Sequence, residues 1–168
     1  MGKEKKNPVK VIEKLRIRKS GTFDYKKIHS KVNSFFLKMG YAFAETKHVE
    51  KDKSSGKEIE SEWSGSRKVT GYVKFNVGVS ILLRDYKEVS VEEDGKKIKT
   101  GLGRLEITFN AVMEKNYGKI FSERTGEFTN LLKDLYEKYL VTKRLSGYED
   151  KLKAEIHGLY NDIKGLVE

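Results

Sequence analysis

Two long runs of alternating apolar residues dominate this chain. Val73, Phe75, Val77, Val79, Ile81 and Leu83 alternate with Lys74, Asn76, Gly78, Ser80 and Leu82. Leu105, Ile107, Phe109, Ala111 and Met113 alternate with Glu106, Thr108, Asn110 and Val112. A period of two places each apolar set on one face of a strand. Asp94-Gly95 lies between the runs, and a two-residue hairpin turn favours residues that tolerate positive φ. The centre of the chain therefore reads as a long antiparallel hairpin with one buried face.

Register adds a constraint. A two-residue turn at Asp94-Gly95 pairs positions whose numbers sum to 189. Both apolar sets carry odd numbers, so residues that face each other must have an even sum. One extra residue is required on one strand. Gly101 and Gly103 mark the expected bulge, beyond which the sum becomes 190. Leu83 then faces Ile107, Ile81 faces Phe109 and Val79 faces Ala111.

The remaining elements follow from shorter signals. Val9, Val11, Leu15 and Ile17 indicate a first strand. Gly21-Thr22 introduces a helix, with Thr22 or Asp24 as N-cap. Its apolar stripe is Ile28, Val32, Phe35, Phe36 and Met39, and Gly40 is placed to end it. A hairpin over 41–53 and 58–64, with Ser55-Gly56 as its loop, pairs on a sum of 111, so Lys53 faces Glu58, Lys51 faces Glu60 and His48 faces Trp63. Two helices end the chain. One covers 127–143 with Phe128, Leu131, Leu132, Leu135, Tyr136 and Tyr139 inward. Ser146-Gly147 breaks it, and the last spans 148–166. The expected fold is α+β: an N-terminal strand and helix, a curved antiparallel sheet of four or more strands, and two C-terminal helices packed on the sheet. Residues 1–8 read as a flexible basic tail, and 9–168 as a single domain.

Composition narrows the function. Cysteine is absent from the 168 residues, which excludes disulfides, thiolate nucleophiles and cysteine-ligated metals. The three histidines show no metal-ligand spacing, and no nucleophile elbow or dinucleotide loop is present. Gly101-Leu102-Gly103 precedes a strand, where a phosphate-binding turn needs a helix. Glu58, Glu60 and Glu62 share a strand face, an arrangement open to a hard cation but also to cross-strand pairing with lysines. The reading is a non-enzyme with no cofactor and no metal. With no apolar membrane span or signal peptide, the expectation is a cytoplasmic protein with no membrane insertion.

Charge supplies the positive clue. Residues 1–40 carry twelve Lys or Arg against three acids, nine of the chain's ten net positive charges. Such a local field attracts polyanions. The candidate contacts are Lys10, Lys14, Arg16, Arg18 and Lys19 on the first strand and Lys26, Lys27 and Lys31 on the first helix. Arg67 and Lys68 follow the small residues Ser64-Gly65-Ser66, which read either as a turn able to cradle phosphate or as a plain solvated turn.

Three further features occur together along the chain. Phe23-Asp24-Tyr25 opens the first helix, Gly40-Tyr41 closes it, and Glu62-Trp63 precedes the long alternating strand. With the Asp94-Gly95 hairpin and the terminal helices, the chain resembles a small family of uncharacterised archaeal proteins, a resemblance that implies no activity or site residue. The element order is also similar to the helix-grip plan, in which a sheet wraps a long helix around an apolar ligand. The leading functional expectation is a non-catalytic module that contacts nucleic acid or an acidic protein through its basic N-terminal third. The others are a structural subunit of a homo-oligomer or larger complex, and a helix-grip-like small-molecule binder.

Overall fold

A computed structural model describes residues 8–115, 117, 131, 132, 134, 135, 138 and 142–168. The element order is β1 (Pro8–Phe23), α1 (Tyr25–Lys38), β2 (Ala42–Lys53), β3 (Gly56–Lys68), β4 (Val73–Glu93), β5 (Lys96–Lys115) and α2 (Thr142–Val167). The five strands form one antiparallel sheet in the order β1-β5-β4-β3-β2. Phe75, Ile81, Leu83, Ile107, Phe109 and Met113 are buried on its inner face. Both helices lie on that face. Leu152, Ile156 and Ile163 of α2 are fully buried, and the Tyr160 ring meets Phe109 at 6.0 Å. Among the described residues, no helix covers the outer face.

The first helix forms as its stripe predicts. Ile28, Val32, Phe35 and Phe36 are buried, Asp24 caps the helix by accepting from the Lys27 amide, and Gly40 takes φ +73°. Phe36 seats on the sheet because Gly65 has no side chain; a Cβ there would lie 2.5 Å from the Phe36 ring. Met39 is exposed, since it has already passed the last buried turn. The residues Ser64 to Lys68 are therefore part of β3, and no phosphate-cradling turn exists there.

Asp94 and Gly95 form the tight turn with φ 51° and 76°, and pairing leaves it on a sum of 189. The required bulge exists, but it lies on β4 at Asp85–Tyr86 rather than at Gly101–Gly103 on β5. The sum accordingly falls to 188. Leu83 faces Leu105, Ile81 faces Ile107 and Val79 faces Phe109. The glycines mark the bulge because they make room for it. A Cβ on Gly103 would lie 2.8 Å from the Arg84 carbonyl oxygen, and one on Gly101 would lie 2.3 Å from the Tyr86 ring.

The β2–β3 hairpin also differs from expectation. Its loop is Ser54-Ser55, and Gly56 follows with φ +140°. Lys53 pairs with Gly56, Lys51 with Glu58 and His48 with Ser61, a sum of 109. A slip of two preserves which face each residue occupies, so apolar pattern alone cannot detect it. At the C-terminus, α2 runs straight through Ser146-Gly147. Glycine costs a helix only about 1 kcal/mol, and burial of Leu145 and Leu152 on either side outweighs that cost. Most of the expected 127–143 helix, with Phe128, Tyr136 and Tyr139, lies outside the described residues. Leu131, Leu132 and Leu135, expected to face inward, are exposed.

Candidate functional site

Register decides which cations meet. On the outer face, Arg18 stands opposite Glu106, Arg16 opposite Thr108, and Ser20 opposite Arg104. Arg104 in turn stands opposite Arg84. Four arginines from three adjacent strands thus share one face, and two of them form a like-charge cross-strand pair, a placement that costs stability on its own. A hollow of about 380 Å³ lies among them, lined by Arg18, Lys19, Arg84, Arg104, Ser20 and a single carboxylate, Glu106.

Two of these cations are held and two are open. Arg18 donates to Glu106 at 2.8 Å. Arg104 grips Asp85 through Nε at 2.8 Å and Nη2 at 2.5 Å, and Asp85 also accepts from Ser55. Those bonds, Ser55 first and then Arg104, hold the Asp85 carboxyl below its usual range. Arg84 and Arg16 make no close ion pair among the described residues.

The sequence candidates divide between two sides of the sheet. Lys10, Arg16 and Arg18 project from the outer face, and Lys19 lines the hollow. Lys14 sits at a β1 bulge with φ 53°, its amide donating to the Asn110 side chain. Lys26, Lys27 and Lys31 ride on α1 over the inner face, and Lys31 pairs with Asp162 of α2. Lys68 is exposed opposite Lys74, at the far end of the sheet from the hollow. Arg67 needs correction: its guanidinium binds Glu155 at 2.6 Å and the Met39 carbonyl, and stacks 4.7 Å from the Tyr41 ring. It fastens α2 to the sheet and is not available to a ligand. Nothing in the sequence singles out Arg84 and Arg104. Only the pairing sum brings them beside Arg18.

The inner face holds a separate polar cluster beneath the start of α1. Buried Ser61 donates to Glu45, and the His48 ring lies between Glu45 and Glu50, 3.1 Å from each. Glu50 first, then Glu45, raises the imidazole above its ordinary value. Burial pushes Glu45 up, but Ser61 and His48 outweigh it and the carboxyl ends below the usual range. The three strand glutamates are engaged by lysines: Lys47 reaches Glu60 and Glu62, and Lys53 reaches Glu58. Among the described residues, no group of three His, Asp or Glu side chains is placed to hold a metal ion, and no helix is long and apolar enough to cross a membrane. No protein-family model and no curated protein matches the chain.

Proposed function

We propose that this chain is a non-catalytic polyanion-binding module whose contact surface is the outer face of β1, β5 and β4, and that its partner is the phosphate backbone of a nucleic acid. The observation that carries this reading is the hollow shared by Arg18, Arg84 and Arg104, with Arg16 beside it. Guanidinium groups match phosphate bidentately, which lysine cannot do. Contacts of this kind are sequence-blind and release counterions, so affinity falls steeply with salt. The edge strands favour a binding face over strand-to-strand assembly. β1 carries two register shifts, and β2 is lined with Lys47, Glu50, Lys51, Asp52 and Lys53, both devices that discourage an added strand.

Fluorescence anisotropy with single- and double-stranded oligonucleotides across a salt series tests the reading. Replacing Arg16, Arg18 and Arg84 with Ala weakens binding and flattens the salt slope by about one for each phosphate that is no longer neutralised. Replacing Lys26, Lys27 and Lys31 leaves the slope nearly unchanged. The opposite ranking would move the contact surface to α1. No binding at low salt would reject nucleic acid as the partner.

A further inference from the structure

The arginine hollow is concave, and its cations converge on one space. An internal phosphate of a nucleic acid is a diester. It carries one negative charge, and the chain must both enter and leave it. A terminal phosphate is a monoester with a single attachment, three free oxygens and a charge of about −1.5 to −2 at neutral pH. The two groups suit different surfaces: a diester meets a cation on an open face, and a monoester fits among several cations gathered around it.

The hollow is of the second kind. Arg18 and Lys19 line it from β1, Arg84 from β4 and Arg104 from β5. These four cations meet one lining acid, Glu106, and Asp85 offsets a second of them. Two positive charges remain uncompensated, which matches a monoester and exceeds a diester. The neighbouring acids are already engaged. Glu106 accepts from Arg18, Asp85 accepts from Ser55 and Arg104, and Glu58, which feels the charge of Arg84, is bound by Lys53.

Those bonds also aim the donors. Asp85, at φ 55° in the bulge that follows Arg84, holds Arg104 by Nε and Nη2, and Glu106 holds Arg18 by Nε alone. Nη1 of Arg104 and both Nη groups of Arg18 make no hydrogen bond among the described residues, and neither do the side chains of Arg84 and Lys19. A guanidinium fixed along one edge loses less freedom when its other nitrogens bind an oxygen. Arg84 stands opposite Arg104, and that like-charge pair costs stability until an anion lies between them. The rest of the lining does not select a base. Leu82 offers an apolar contact for a sugar, and among the described residues no aromatic ring lines the hollow on which a base could stack.

Resting on the nucleic-acid reading above, we infer that the hollow receives the terminal phosphate monoester of a nucleic-acid chain, at either end and without regard to the base. Arg16, on the open face beside the hollow, meets internal phosphates.

The test is fluorescence anisotropy of the full chain with one internally labelled single-stranded oligonucleotide in four forms. These are a hydroxyl form, a 5′-phosphate, a 3′-phosphate, and a hydroxyl form lengthened by two nucleotides to carry the same added charge. Both phosphorylated forms should bind about tenfold more tightly than either hydroxyl form. Arg84→Ala, a change at an exposed position that also removes the like-charge pair, should erase that ratio. Arg16→Ala should weaken all four forms by a similar factor and leave the ratio standing. Equal affinity of the phosphorylated and lengthened hydroxyl forms, or a ratio that Arg16→Ala lowers as much as Arg84→Ala does, would overturn the terminal site and leave the nucleic-acid face in place. No binding of any form would overturn both.

Discussion

On one side of Asp85, strands β4 and β5 lie inside a five-stranded sheet roofed by two helices. On the other side the same two strands run on as an arm, in which Lys87 to Thr100 have no further strand beside them among the described residues. Pairing is continuous across both halves, and backbone hydrogen bonding is alike. What differs is cover: on the face beneath the helices Ile81, Leu83 and Ile107 are fully buried, whereas the arm continues that face with Glu88, Ser90, Lys97 and Lys99, all exposed. A two-stranded ribbon alone is marginal in water, so the arm is ordered by its attachment at the bulge and by its turn. Strand pairing supplies geometry here, and burial supplies stability.

The largest test of that contrast is Ile81→Ala, which removes a fully buried side chain from the roofed half. It should cost about 2–5 kcal/mol in chemical denaturation through transfer and cavity terms. At the junction, Gly101→Ala forces a methyl group into the Tyr86 ring. About 1–3 kcal/mol should be lost through overpacking; a neutral result would mean that the bulge does not need its glycine. In the arm, Gly95→Ala places a side chain at φ 76°. Global stability should fall by only about 1 kcal/mol or less, while amide exchange from Val89 to Ile98 accelerates and that of the roofed half does not. Equal acceleration everywhere would show the arm and body to be one cooperative unit. On the uncovered outer face of the body, Lys74→Ala should stay within about 0.5 kcal/mol of the parent.

The smallest effect concerns pH. The His48 imidazole is raised in the fold by Glu50 and Glu45. The stability it contributes is fully present below its unfolded value of about 6.5 and is lost as pH rises through the higher folded value. The ring is largely exposed, so the change is slight. Denaturation midpoints of the parent and His48→Gln should converge at alkaline pH and separate slightly below neutrality. Asp85 behaves inversely: its carboxyl is depressed, so its contribution holds at neutral pH and disappears as acid protonates it.

Much of the roofed half was legible in the sequence because burial writes a period into it. The α1 stripe, the turn at Asp94-Gly95 and the need for one extra residue between turn and core all follow from periodicity. The strand that carries the extra residue does not, because either choice restores an even sum. That choice decides the candidate site. On a sum of 190, Arg84 faces Glu106 and reads as an ion pair; on the observed 188 it faces Arg104. The α1 lysines lie close to β1 in sequence, yet the chain turns at Asp24 and carries them to the other side of the sheet. Arg67 reads from sequence as a surface cation, and only the docking of α2 supplies Glu155.

The arm has a practical consequence. Its tip projects beyond the strands that flank the body, and its turn residues Asp94 and Gly95 are exposed. Exposed tips of this kind accept spliced sequence, since lengthening a loop costs little closure entropy. An epitope or a fluorophore carried there would report on tumbling and encounter, while the side chains that line the hollow keep their native surroundings.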